Sequence, residues 1–165
     1  MVLLLAAGGC AWGAATPAQD LQTGLELVRH GRHQDALPPL FRAATCGNPY
    51  AQHNLALCLY LGKGAAQDRE HAVEWWLKAA EQGLPQAQYN LGLCYATGQG
   101  VVRNPNAAVF WWKKAADLGM PDAAYNLALC YHTGFGIRKD EALATHYFQK
   151  AGVAAPPALP ATSKP

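Results

Sequence analysis

The stretch Ala51-Gln52-His53-Asn54-Leu55-Ala56-Leu57-Cys58 decides the fold, because it returns twice. It comes back as Ala87-Gln88-Tyr89-Asn90-Leu91-Gly92-Leu93-Cys94 and as Ala123-Ala124-Tyr125-Asn126-Leu127-Ala128-Leu129-Cys130, each time after 36 residues. The agreement continues downstream through Gly62/Gly98/Gly134, Gly64/Gly100/Gly136, Ala72/Ala108/Ala144, Trp76/Trp112/Phe148, Lys78/Lys114/Lys150 and Ala79/Ala115/Ala151. A fixed period of this size marks a repeat architecture, in which each unit leaves an apolar face that only a stacked neighbour can bury.

Each unit reads as two helices. Ala51, Leu55, Cys58 and Leu59 recur at spacings of three and four and draw one apolar stripe along a first helix. The pair Gly62 and Gly64 stops it, since glycine readily takes the left-handed C-terminal position. A second helix starts at Asp68, at Asn104, and near Lys139 or Asp140. Asn104-Pro105 is the clearest start: the asparagine can cap free backbone N–H groups, and a proline in the first turn removes only a donor that would be unpaired anyway. Ala72, Trp76 and Ala79 form the buried stripe of the second helix, so Trp76 and Trp112 are expected in the core, with Trp75 and Trp111 at its convex margin. Gly83 and Gly119 end that helix, and Pro85 or Pro121 opens the next unit two residues later.

Ala36, Leu40, Ala43, Ala44 and Gly47 lie 36 residues before Ala72, Trp76, Ala79, Ala80 and Gly83, which adds one more second-type helix upstream. Its partner, around Ala18 to His30, is degenerate, and the Gly31 turn is several residues shorter than the later ones. Pro38 and Pro39 fit if Asp35 caps and the helix begins there, placing both prolines in its first turn. The expectation is an all-α solenoid of about 3.5 to 4 antiparallel helix pairs. Its parts are a degenerate capping repeat at 18–49, full repeats at 50–85, 86–121 and 122–153, an apolar leader at 1–17, and a disordered Ala/Pro-rich tail at 154–165.

The 165 residues are 51% hydrophobic and 15% charged, a composition that excludes wholesale disorder. Thirteen basic and eleven acidic residues leave a net charge of +2 with no basic cluster, too little to neutralise a run of phosphates, so no nucleic-acid partner is expected. The apolar run at 2–7 is far shorter than the ~20 residues a spanning helix needs. Small residues at Ala11, Gly13 and Ala15 would suit a signal peptidase, and Cys10 gives a loose lipoprotein pattern. The basic n-region is missing, however, and Ala7 stands where a lipoprotein signal has a large aliphatic residue. The reading is therefore an internal start or a disordered leader in an intracellular protein. Secretion, or membrane association through residues 1–15, is the alternative.

The run A-Q-Y-N-L-G-L-C-Y at 87–95, the G-x-G turn at 98–100 and the run W-W-K-K-A-A at 111–116 resemble the Sel1-like repeat family, a relative of the tetratricopeptide repeat. The resemblance covers 51–152, and about 35–152 with the degenerate unit. It implies a right-handed superhelix of antiparallel helix pairs that serves as an adaptor or scaffold for other proteins. In tetratricopeptide relatives the residue before the conserved leucine is often an asparagine that holds a bound peptide's backbone, and Asn54, Asn90 and Asn126 match that place. Their other reading is a hydrogen bond to the neighbouring unit's backbone.

Helix geometry leads to the same face. If Leu55, Ala56 and Leu59 pack against neighbours, then His53, Asn54, Leu57 and Tyr60 project from the other side. Tyr89, Asn90, Leu93 and Ala96 follow, then Tyr125, Asn126, Leu129 and His132. This row is the candidate concave surface for a peptide or partner protein. No cofactor is expected, and no metal site: His30, His33, His53, His71, His132 and His146 show no helical pair and no carboxylate at ligand spacing. Gly62-Lys63-Gly64 follows a helix and lacks the Ser/Thr of a phosphate loop. Cys58, Cys94 and Cys130 read as small core thiols. The alternative function is a weak hydrolase like the cysteine-rich, penicillin-binding branch of the family. That branch has a second cysteine late in each second helix, where Ala79, Ala115 and Ala151 stand.

Overall fold

The computed structural model describes residues 15–154, and among them the repeat is built from eight helices with no strand. The leader and tail expected at 1–17 and 154–165 lie outside the described residues except at 15–17 and 154, and there Thr16 caps α1, which begins at Pro17. The helices are α1 (Pro17–Arg29), α2 (His33–Thr45), α3 (Pro49–Leu61), α4 (Arg69–Glu81), α5 (Pro85–Thr97), α6 (Pro105–Asp117), α7 (Pro121–Thr133) and α8 (Glu141–Lys150). They fall into two compact units, one ending at Leu84 and one beginning at Pro85. In each unit every helix packs on the next, the arrangement of an all-α helical-repeat solenoid.

The helix boundaries follow from local chemistry. Asp68, Asn104 and Asp140 are N-caps whose side chains accept from the backbone N–H of His71, Ala107 and Leu143. Their own N–H groups donate to Leu59 O, Tyr95 O and Tyr131 O at 2.9, 2.8 and 2.9 Å, which ties each loop to the first helix of its pair. Gly62 and Gly134 close α3 and α7 in the left-handed conformation. The second glycine of each turn has a further reason to be glycine. Besides its positive φ, a Cβ on Gly64 would collide with the backbone of His33, the first residue of α2, and one on Gly136 with the backbone of Pro105, the first residue of α6. In both units this glycine lets the turn of one repeat pass against the start of the previous second helix.

Two expectations are corrected. α2 begins at His33 rather than at Asp35, so Pro38 and Pro39 lie inside it. Asp35 does not cap, because its carboxylate is taken by Arg32 at 2.8 Å, and Arg32 occupies the N-cap place without a side-chain bond. The two prolines withhold the amide donors that would reach the carbonyls of Gln34 and Asp35. Trp111 is not marginal either. It is 8% exposed against 5% for Trp112, since Phe110 packs edge-on against its ring at 5.1 Å and the Lys114 ammonium lies 5.2 Å from its centre. Trp75 is half-buried, as expected of that position.

The degenerate first pair keeps the repeat's packing on a shifted register. α1 starts 32 residues before α3, because the loop between α1 and α2 has three residues where the other pairs have seven. At that offset Gly24 stands where Ala56, Gly92 and Ala128 stand, and it lies against Leu40 as Gly92 lies against Trp112. Asp20 takes the place of Gln52 and receives both Arg42 Nε and a terminal Arg42 nitrogen, at 3.1 and 2.6 Å. This bidentate pair joins α1 to α2 with Asp20 only 4% exposed.

Candidate functional site

The first helices present a recess at one repeat position in each unit. In the N-terminal unit Asn54, Leu57, Cys58, Leu61 and Lys63 line a cavity of about 110 Å³. In the C-terminal unit Asn126, Leu129, Cys130, Thr133 and Phe135, the same five positions 72 residues on, line one of about 200 Å³. Two of the three asparagines and two of the three leucines of the expected row therefore line recesses. Asn54 also donates from Nδ2 to Tyr50 O one turn back, at 2.8 Å, so its bond is to its own helix and not to a neighbouring repeat. Asn90, Leu93 and Ala96 are half-buried, with Leu93 and Leu129 resting on the core of the C-terminal unit.

The aromatic and histidine members of the row do not line these two recesses. His53 packs beside Trp76, with ring centres 6.4 Å apart, and burial lowers its imidazole to a pKa of about 4. Tyr60 sits 5.1 Å from the Trp76 ring, with the Arg69 guanidinium 5.5 Å above its own. His132 is 6% exposed, with Nδ1 2.9 Å from Glu141 Oε2, so it joins α7 to the start of α8. Lys139 meets the same carboxylate at 2.9 Å, and the two hydrogen bonds hold Glu141 below the ordinary carboxylate range. Tyr89 is half-buried and its carbonyl accepts from Trp112 Nε1 at 3.3 Å. Tyr125 is exposed, edge-on to Phe148 at 5.7 Å.

Cys58, Cys94 and Cys130 are buried, as core thiols should be. Burial raises the Cys58 thiol and raises Cys130 to about 11, which keeps both protonated and poor nucleophiles. Among the described residues no group of three or more His, Cys, Asp or Glu is placed to hold a metal ion, and no helix is long and apolar enough to cross a membrane.

A further cavity is one that the sequence reading missed. Between α2 and α4, over a floor of Leu55 and Leu59 from α3, an apolar groove of about 470 Å³ is walled by Leu37, Pro38 and Phe41 on one side and by Asp68, His71 and Trp75 on the other. Phe41 is 52% exposed and meets Trp75 edge-on at 6.1 Å. Asp68 Oδ2 lies 2.6 Å from His71 Nδ1, which holds the imidazole above its ordinary pKa; the backbone N–H of His71 donating to Asp68 Oδ1, and then that side-chain contact, hold the carboxylate below its own. The only sequence signal was a break in the repeat. Phe41 stands where Leu77 and Lys113 stand, an unusual side chain for an exposed position.

The spacing, the caps and the glycine turns fit one known repeat, and the Sel1 repeat model matches the chain at 49–84, 85–120 and 121–152. The chain belongs to the Sel1 repeat family. The matched boundaries fall one residue before the repeats read from the sequence. A Sel1 repeat protein from Oxalobacter formigenes is similar in structure, with a TM-score of 0.77 and 33% identity over 80% of this chain and 54% of that one. So is c5321, a protective antigen of uropathogenic Escherichia coli strains displaying an SLR fold, with a TM-score of 0.79 and 32% identity over 83% of this chain and 30% of that one. The chain thus spans about half of the first relative and under a third of the second. Helicobacter pylori cysteine-rich protein B shares the fold at a TM-score of 0.55 and 21% identity, over 85% of this chain and 92% of that one. No curated protein matches the chain. Sel1 repeat proteins are generally protein-interaction scaffolds and typically non-catalytic.

Proposed function

We propose that this Sel1 repeat chain is a non-enzymatic adaptor that binds a peptide or partner protein along the recessed face of its first helices. The observation that carries the reading is the recurrence of one recess, with an asparagine and a leucine in its wall, at the same repeat position in each unit. Leu57 and Leu129 offer apolar contact, while Asn54 Oδ1 and the Asn126 amide offer hydrogen bonds to an extended backbone. Asn90 belongs to the same row by its repeat position. His53, Tyr60 and His132, turned inward, would hold the face in place without touching the ligand.

The test is a capture experiment comparing the wild-type chain with the triple variant Asn54→Ala, Asn90→Ala, Asn126→Ala. The variant should remain folded by circular dichroism and lose its partner. A folded variant that retains every partner overturns the assignment of this face.

A further inference from the structure

We infer that the groove between α2 and α4 is a second docking surface, for an amphipathic helix that carries a row of apolar side chains and a basic edge. It shares α3 with the recess row but none of its lining residues, so it stands independently of that proposal.

The size and lining define the first requirement. About 470 Å³ falls within the ~300–1,000 Å³ range of ligand sites. The walls are parts of two helices, with Leu37 and Phe41 one turn apart on α2 and His71 and Trp75 one turn apart on α4. An elongated apolar slot of this kind receives the i, i+4, i+7 row of a third helix. The same place in the C-terminal unit holds a smaller cavity of about 360 Å³, where Tyr131, Asp140 and Leu143 stand beside Ile137, Arg138 and Lys139, so charged side chains replace the aromatic wall. There Tyr131 and Tyr147 stand at the positions of Leu59 and Trp75, stacked with ring centres 5.7 Å apart and planes 5° from parallel, and Lys113 replaces Phe41.

Charge supplies the second requirement. Glu70 and Glu74 are exposed on α4, and both act on the His71 imidazole at the groove wall together with Asp68. Arg42 and Arg32 are paired with Asp20 and Asp35, and Arg69, held over the Tyr60 ring, is one guanidinium against the three carboxylates Asp68, Glu70 and Glu74. Lys78, 4.1 Å from the centre of the Trp75 ring, marks the C-terminal end of the α4 wall. The lip beside His71 is therefore acidic, and its complement is Lys or Arg along one edge of the incoming helix.

Two synthetic helical peptides of about 18 residues with one leucine row, one edged with lysine and one with glutamate, test this on the full-length chain. The lysine peptide should bind at least about tenfold more tightly at low salt, and the preference should shrink as salt screens the exposed charges. Phe41→Ser, at an exposed ring, should abolish binding of both peptides while circular dichroism stays unchanged. Glu70→Gln with Glu74→Gln should remove the preference alone. The triple asparagine variant should bind the lysine peptide like wild type, which separates failure of this site from failure of the recess row. Equal affinity for the two peptides, no binding of either, or binding that survives Phe41→Ser overturns the proposal. So does concentration-dependent dimerisation abolished by Phe41→Ser, which would make a second copy of the chain the occupant.

Discussion

The N-terminal and C-terminal units share a four-helix plan and differ in how the second helices meet. In the C-terminal unit Tyr131 stacks on Tyr147 and lines a smaller cavity of about 360 Å³ with Arg138, Lys139 and Asp140, and Lys113 on α6 is bound to Asp117 at 2.8 Å. In the N-terminal unit Leu59 is shorter than tyrosine and Phe41 leans on Trp75 from the side, so an apolar groove stays open. The positions common to all repeats govern helix boundaries and the core. The positions that break the pattern govern which surface is left for a partner.

A second contrast lies inside the cores. Trp112 Nε1 donates to Tyr89 O at 3.3 Å, whereas Trp76 Nε1 is buried without a partner. The residue under the ring differs: Gly92 lies against the Trp112 indole, and a Cβ there would collide with it, while the N-terminal unit has Ala56 at that place. A missing methyl group lets one indole approach the neighbouring helix closely enough to reach a carbonyl.

The largest effect expected from breaking this comparison is at the tryptophans. Trp76→Ala and Trp112→Ala should each lose about 3 to 5 kcal/mol, the range for deleting a buried aromatic. Trp111→Ala should lose more than Trp75→Ala, because the first ring is 8% exposed and the second is half-buried beside the open groove. Denaturant melts of the four variants decide it. Equal losses at Trp75 and Trp111 would mean that the groove is closed in solution.

The next effect is a pH dependence confined to the N-terminal unit. His53 occupies the position of Tyr89 and Tyr125, and burial lowers its folded-state pKa to about 4, against about 6.5 for an exposed histidine. The unfolded chain thus takes up a proton that the folded chain refuses. This contribution is absent above about pH 7 and removes stability as pH falls from about 6.5 towards 4, by at most about 3 kcal/mol. His53→Tyr should abolish that part of the acid loss in melts recorded from pH 7.5 to 4.5. An unchanged slope would show that His53 takes up its proton equally in the folded and unfolded chains.

The smallest effect sharpens the contrast between the two indoles. Gly92→Ala improves helix propensity by up to about 1 kcal/mol, yet it should destabilise the chain by about 1 to 2 kcal/mol through overpacking against Trp112. The indole N–H of Trp112 should then exchange with solvent faster, as its bond to Tyr89 O opens. A stabilised variant with a protected indole would show that the ring is free to shift, as it has done above Ala56.

Much of this structure could be read from period and punctuation. The starts at Asp68, Asn104 and Asp140, the stops at Gly62 and Gly134, and the buried places of Trp76, Trp112 and the three cysteines follow from side chains acting on their own helix or on a neighbour one repeat away. The start of α2 was misread because two prolines suggested a first turn. The energy that holds them inside the helix comes instead from burying Ala36, Leu40, Ala43 and Ala44.

The candidate face divides along the same line. The 36-residue spacing fixes which residues share a position, so Asn54 and Leu57 and their equivalents were already aligned in one row. Periodicity does not fix side-chain direction, and it was packing that turned His53 and Tyr60 onto Trp76, buried His132 against Glu141, and brought Phe110 over Trp111. The groove lay beyond any pattern. It exists because residues far apart in the chain, Leu37 to Phe41, Leu55 and Leu59, and Asp68 to Trp75, leave a volume between them that none of their side chains is large enough to fill. Local sequence sets helices and register through short-range hydrogen bonds and sterics, whereas an unfilled volume is a property of several helices at once.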